Sequence, residues 1–269
     1  MTVLRHPLIP GAEPFDHPGR PDIGVLLVHG FTGSPNELRP TGAALADQGI
    51  GSRCFLLPGH GTHPDDMVGH PYTDWIEDVE RGLDAVLATY DRAVIVGLSM
   101  GGTLALNVAA RRAGDARLAG LVTISAPLVL DDWRLGFASL ITRVVKWQAW
   151  GKPDIKDRST WDGQIGYRRI RTQAVLEMLA LMRDTRCRLA EVCQPILIVQ
   201  SREDHVVPPR NADLIRDGIG SPDRRVVLLD NCYHVSTLDF DASRVNDEVV
   251  NFVRHVGAPD ALFELTTPR

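Results

Sequence analysis

Ser99 stands in Gly97-Leu98-Ser99-Met100-Gly101, a Gly-x-Ser-x-Gly pentapeptide. Ala93-Val94-Ile95-Val96 before it reads as a buried β-branched strand, and Gly102 to Ala110 after it as a helix. Strand, pentapeptide, helix is the setting of a nucleophile elbow, whose strained turn thrusts the serine Oγ out of the chain. Any side chain at Gly97 or Gly101 would crowd that turn. A helix starting at Met100 aims its first amides at an anion formed beside Ser99. The chemistry is nucleophilic catalysis. A serine hydroxyl performs it only when a base takes its proton and a third group fixes the base.

Behind such an elbow the partners follow in chain order, an acid and then a histidine, each after a strand. Of the nine histidines, His6 and His17 sit in what reads as an irregular N-terminal segment, and His255 in the last predicted helix. His29, His60, His63 and His70 precede Ser99, and His205 adjoins loop acids. His234 follows the final predicted strand, so position and order both select it. For the acid, the loop after Ser201 offers Glu203 and Asp204. Asp204 is favoured because Val206, Val207 and Pro208 turn the chain back into the fold, with Asp230 as rival. An oxyanion hole needs two backbone N–H groups. Met100, after the nucleophile, supplies one, and Phe31 in His29-Gly30-Phe31-Thr32-Gly33 is placed to supply the other. His60 and His63 invite a metal, yet Pro58, Gly59 and Gly61 make their segment a loop with no third ligand in sight, so no metal site is expected.

The elements that would carry these residues alternate. Ile23–Val28 is an apolar run ending in the Phe31 loop, and Ser34, Pro35 and Glu37 read as the capping box of a helix running to Gln48. Strands follow at Gly51–Leu57, Leu118–Ser125, Pro195–Ser201 and Arg225–Leu229, with helices from Tyr72, around Asp213–Ile215 and over Val245–His255. This order predicts an α/β fold with a mostly parallel, doubly wound sheet. From Leu128 to Glu191 the rhythm breaks and no strand is predicted. That segment holds Trp133, Trp147, Trp150 and Trp161, an apolar stripe from Leu135 to Val145, and a second helix over Gln173–Arg188. It reads as a helical cap over residues 128–190, inserted in a core of 1–127 and 191–269; the plainer alternative is a pair of surface helices packed on the sheet.

The 269 residues, 44% hydrophobic and 23% charged, suit a globular core of one such domain. A net charge of −5 argues against a nucleic-acid binder. No apolar run is long enough to cross a bilayer, and Pro7, Pro10 and Pro14 break the N-terminal stretch, so no signal of that type is read. Four cysteines without Cys-x-x-Cys spacing point to free thiols and a cytoplasmic setting.

Beyond the elbow, GAEPF (Gly11–Phe15), GVLLVHGFTGSP (Gly24–Pro35), GHGTH (Gly59–His63), GLSMGGTL (Gly97–Leu104), EDHVVPPRNADLI (Glu203–Ile215) and YHVSTLD (Tyr233–Asp239) run nearly end to end through the core. Together they resemble the α/β-hydrolase superfamily, more narrowly bacterial monoacylglycerol lipases and related small cap-bearing carboxylesterases. The resemblance implies Ser99 as nucleophile, His234 as base, Asp204 as its orienting acid and the Phe31 and Met100 amides as oxyanion hole. It further implies that Asp157, in Lys152–Asp157, contacts glycerol hydroxyls. Arg158–Ile165 looks like an insertion relative to that family. The implied activity is cofactor-free hydrolysis of monoacylglycerols through an acyl-enzyme. A broad short-chain carboxylesterase is one alternative and a hydrolase-fold ligand-binding protein with little turnover another. The apolar cap stripe is the part that would touch a lipid surface.

Overall fold

Strands Ile23–Val28 (β2), Arg92–Leu98 (β4), Leu118–Ile124 (β5) and Ile196–Ser201 (β8) are buried along nearly their whole length. Strands of that kind need cover on both faces. In a computed structural model, which describes residues 6–149 and 151–258, they form the centre of a seven-stranded sheet. Its order is β1-β3-β2-β4-β5-β8-β9, with Phe15–His17 (β1), Gly51–Cys54 (β3) and Arg224–Leu229 (β9) completing it. Every pairing is parallel except that of β1 with β3. The expected doubly wound sheet is therefore present, with one correction at its edge. His17 is in a strand, not an irregular segment: β1 pairs Asp16 with Arg53, whose Nε donates to the Asp16 carboxylate at 2.7 Å. Three residues are too few to leave a periodic signal.

Alternation along β2 divides the core into two layers. Leu26 and Val28 pack with Trp75, Ile76 and Leu83 of Tyr72–Leu87 (α2) and Leu104 of Met100–Arg111 (α3). Val25 and Leu27 face the other way, toward Leu45 of Arg39–Ala46 (α1) and Val245, Val249 and Val253 of Ala242–Gly257 (α7). The predicted capping box does not form. Pro35–Leu38 is a 3-10 turn, α1 begins only at Arg39, and Ser34 makes no cap hydrogen bond. The Ser34 hydroxyl instead donates to the Ile165 carbonyl at 3.0 Å, so a partner 131 positions away has replaced the local one.

Between β5 and β8 the chain leaves the sheet. It makes a 3-10 turn at Trp133–Phe137, the short helix Ala138–Val144 (α4), a 3-10 turn at Arg158–Gly163 and the helix Thr172–Arg188 (α5). The expectation of no strand here is corrected, because Trp147–Ala149 (β6) and Arg169–Arg171 (β7) pair as an antiparallel ribbon. The Arg169 and Arg171 guanidiniums both lie 4.7 Å from the Trp147 ring centre, a cation–π arrangement that composition alone does not reveal. Trp150 lies outside the described residues. The two helices of this insert differ. α5 buries Ala174, Met178, Leu181 and Met182, whereas Trp133, Phe137, Leu140 and Val144 along α4 and the turn before it are exposed. Asn211–Gly218 (α6) fills the step between β8 and β9. Among the described residues, no helix is long and apolar enough to cross a membrane, and Cys54, Cys187, Cys193 and Cys232 are free.

Candidate active site

The turn from β4 into α3 holds Ser99 at φ 52°, ψ −120°, a left-handed region that a non-glycine residue occupies only under constraint. The sequence makes this affordable through its two glycines. A Cβ on Gly97 would overlap the Gly101 carbonyl, and one on Gly101 would overlap the Val28 carbonyl of β2. The Ser99 N–H is held by the Ile124 carbonyl of β5 at 2.7 Å, which leaves the side chain at the carboxyl edge of the sheet. Met100 opens α3, and the first amides of a helix have no acceptor within it.

His234 and Asp204 arrive from the loops after β9 and β8. His234 Nε2 lies 3.0 Å from Ser99 Oγ, and its Nδ1 lies 2.9 Å from Asp204 Oδ2. The other Asp204 oxygen accepts the Val206 and Val207 N–H groups at 2.9 and 2.8 Å, and Gln200 Nε2 donates to Oδ2 at 3.1 Å. Burial pushes the Asp204 carboxyl up, but the facing His234 and those backbone donors outweigh it and hold it below the usual range. For His234 burial acts downward, and Asp204, then Asp154 and Glu37, overcome it and raise the imidazole above its ordinary value. A serine, a raised base and an ionised acid in one hydrogen-bonded line can transfer the hydroxyl proton and stabilise the resulting imidazolium.

The rivals for the acid lie elsewhere. Asp230 is mostly exposed and pairs with Arg202 at 2.9 Å, and Glu203 pairs with Lys156 at 2.9 Å. His60 and His63 are separately engaged. His60 Nδ1 is bonded to the Pro58 carbonyl at 3.0 Å and burial pushes its pKa down to about 4, while His63 caps the turn at Pro64–Met67. His29 is pushed down to about 3 by burial and is therefore neutral; its Nε2 accepts the Leu57 N–H at 3.1 Å and its Nδ1 is bonded to the Gly30 carbonyl at 3.0 Å. That pair fixes the loop carrying Phe31.

Ser99, His234, Phe31 and Glu37 line a cavity of ≈ 410 Å³ whose opposite wall is the insert. Gln148, Lys152, Asp154, Gln164 and Arg168 give that wall a polar character. Asp132 and Gln148 are shared with a second chamber of ≈ 280 Å³, lined by Leu135, Ala138, Ile141, Val145, Trp147 and Val175. A larger cleft of ≈ 650 Å³ lies beyond His60, between the loop after β3 and α2, and includes neither Ser99 nor His234. Volume is a poor guide here, and the chemistry selects the smaller cavity.

Residues 19–241 match the family model described as serine aminopeptidase, S33. The chain belongs to that family of α/β-hydrolases. Its similarity to the thermostable monoacylglycerol lipase of Bacillus sp. (strain H-257) is 36% identity over 263 residues, 94% of this chain and 99% of that protein. It is 24% identical to a carboxylesterase of Bacillus subtilis (strain 168) over 90% of this chain and 96% of that one. A structure from the work on LipS and LipT, two metagenome-derived lipolytic enzymes, superposes with a TM-score of 0.87 at 34% identity, covering 92% and 99% of the two chains. The Paleococcus ferrophilus monoacylglycerol lipase shares the fold at a TM-score of 0.77, over 89% and 97% of the two chains at 16% identity.

Within this family member, Ser99, Asp204 and His234 come together, Phe31 lies in the wall of the same cavity on the loop after β2, and Met100 opens α3. Asp157 does not join them. Its carboxylate accepts the Ser159 N–H and hydroxyl at 2.9 and 2.6 Å as the cap of a 3-10 turn, and it is not among the residues lining the cavity. Asp154, three residues earlier, does face the cavity. It was hidden in sequence because its partners, the His205 and His234 loops, lie 51 and 80 positions away. Glu37 was likewise masked, having the position of a capping residue while its side chain turns inward.

Proposed function

We propose that the protein is a carboxylic ester hydrolase that cleaves monoacylglycerols to fatty acid and glycerol through an acyl-enzyme on Ser99. The observation that carries this reading is the Ser99–His234–Asp204 line at 3.0 and 2.9 Å, set in a cavity with a polar wall and an apolar chamber beside it. The likeness to a monoacylglycerol lipase over nearly the whole chain supports the substrate class.

His234 Nε2 takes the Ser99 proton as Oγ attacks the ester carbonyl. The Phe31 and Met100 N–H groups hold the oxyanion of the tetrahedral intermediate. His234 then gives its proton to the departing glycerol oxygen, and water, activated by the same base, releases the acid. Asp204 stays ionised and fixes the imidazole throughout. Residues 128–190 act as the cap: the acyl chain occupies the chamber between α4 and α5, and the glycerol end faces Gln148, Lys152, Asp154 and Gln164. The exposed Trp133, Phe137, Leu140 and Val144 give this cap a face for a lipid surface.

The deciding experiment compares kcat/KM on monolauroylglycerol and p-nitrophenyl butyrate, with Ser99→Ala as control. A strong preference for the glyceride, abolished in the variant, is expected. Preference for the short ester would replace the substrate class by that of a general carboxylesterase. Co-sedimentation with anionic liposomes, lost on changing Trp133 and Val144 to Ser, checks the surface contact; absence of binding by the native protein would sink it.

A further inference from the structure

Glu37 is buried in the wall of the Ser99 cavity, yet it belongs to neither the proton-transfer line nor the amides around it. Its Oε2 accepts the Gly30 N–H at 3.2 Å and its Oε1 accepts Gln164 Nε2 at 2.9 Å. Gly33 leaves the room that this side chain fills, since a Cβ there would collide with the Glu37 carboxyl group.

Gly30 is pinned at its other polar group as well. Its carbonyl accepts the Gly33 N–H at 3.2 Å and lies 3.0 Å from His29 Nδ1. With no cis peptide among the described residues, the N–H of Phe31 points opposite to that carbonyl. Gly30 also packs on the nucleophile, because a Cβ built on it would lie 3.4 Å from Ser99 Cβ. Holding Gly30 at both ends therefore fixes where the Phe31 N–H points.

Burying a carboxylate with no cation bonded to it is costly. Burial pushes Glu37 up, against the opposing effects of Gln164, the Gly30 N–H and His234. A group kept at such a cost beside a reaction centre answers a positional need. We propose that Glu37 is a positioning residue that ties the oxyanion loop, through Gly30, to Gln164 of the insert. The inference rests on the reading of Phe31 as an oxyanion donor. The same edge of the insert meets the loop at three further points: Ser34 Oγ to the Ile165 carbonyl at 3.0 Å, Ile165 N–H to Asn36 Oδ1 at 3.3 Å, and Tyr167 N–H to the Thr32 carbonyl at 2.9 Å. The geometry of the oxyanion donor thus depends on how residues 164–167 are seated.

The test uses kcat and KM on p-nitrophenyl butyrate for four variants. Glu37→Gln keeps the chain of hydrogen bonds, because its carbonyl can accept from Gly30 and its amide can donate to a turned-over Gln164. Glu37→Ala cuts it. Gln164→Glu sets two carboxylates against each other, and Glu37→Gln with Gln164→Glu restores a donor–acceptor pair.

Glu37→Ala is expected to lower kcat by roughly 10- to 100-fold with KM nearly unchanged, the signature of a contact made in the transition state. Glu37→Gln should stay within about 5-fold of the native enzyme, and the double variant should recover most of what Gln164→Glu loses. A folded Glu37→Ala with native kcat, a Glu37→Gln as damaged as Glu37→Ala, or a double variant no better than Gln164→Glu would each overturn the proposal. If Glu37→Ala does not fold, the Gln164→Glu pair carries the test alone. Failure of the underlying hydrolase reading looks different: the native protein would not turn over the ester, or Ser99→Ala would match it.

Discussion

The Asp154 carboxylate receives the His234 backbone N–H at 3.2 Å through one oxygen and the His205 Nδ1 at 2.9 Å through the other. One side chain of the insert thereby braces both the loop carrying His234 and the loop carrying Asp204. Asp239 answers from the core side, accepting the N–H groups of Lys156 and Asp157 at 2.7 and 2.9 Å and that of Tyr233 at 2.8 Å. The insert is fastened beside the Ser99–His234–Asp204 line.

Removing that brace should be felt at the histidine. Asp154→Ala is expected to lower kcat/KM by about 10-fold or more, since backbone donors lose a charged acceptor worth roughly 2 kcal/mol. Asp154→Asn keeps an acceptor and should cost much less. A steady-state comparison of the two separates position from charge.

The orienting acid can be assigned by amide substitution. Asp204→Asn should reduce kcat by several orders of magnitude, as loss of a triad acid does elsewhere, through the wrong imidazole tautomer. Asp230→Asn, which removes only exposed pairs with Arg202 and Arg244, should leave activity within about 2-fold. The opposite ranking would reverse the assignment.

Catalysis needs His234 neutral, and burial, which lowers its pKa, is outweighed by Asp204, Asp154 and Glu37, which raise it. kcat/KM should therefore fall as pH drops through a value above 6.5, the ordinary histidine figure. Asp154→Asn removes one raising charge, so the acid limb should move to lower pH. A pH–rate profile of both proteins gives the direction; an upward move would contradict the electrostatics.

The elbow has no room to spare. Gly101→Ala brings a methyl group onto the Val28 carbonyl, so it should destabilise the fold by about 3 kcal/mol. That corresponds to a fall of roughly 6 °C in Tm for a domain of this size. Thermal unfolding at one scan rate reads it directly.

Features carried by local periodicity or chain order were legible in the sequence. The apolar runs of β2 and β5, the amphipathic α2 and the order Ser99, Asp204, His234 needed no distant information. What escaped depends on partners far along the chain. β1 pairs with β3 some 37 positions along the chain, where Arg53 meets Asp16. Ser34 abandons its cap for Ile165, and Glu37 turns toward Gly30 and Gln164. β6 pairs with β7, Trp147 opposite Arg171, with two arginines on one indole.

The attachment of residues 152–157 and 164–167 has a consequence for modularity. An insert that rests on a core by apolar contact alone can be exchanged between relatives like a lid between jars. Here the transplanted piece would take with it the Asp154 contacts to the His234 and His205 loops and the Gln164 contact to Glu37. A chimera carrying a foreign segment between β5 and β8 would inherit its host's Ser99, Asp204 and His234 and still lack the means to aim them, unless the donor brought equivalents of Asp154 and Gln164. The insert and the hydrogen bonds that hold the His234 and Gly30 loops therefore travel as one block in this chain.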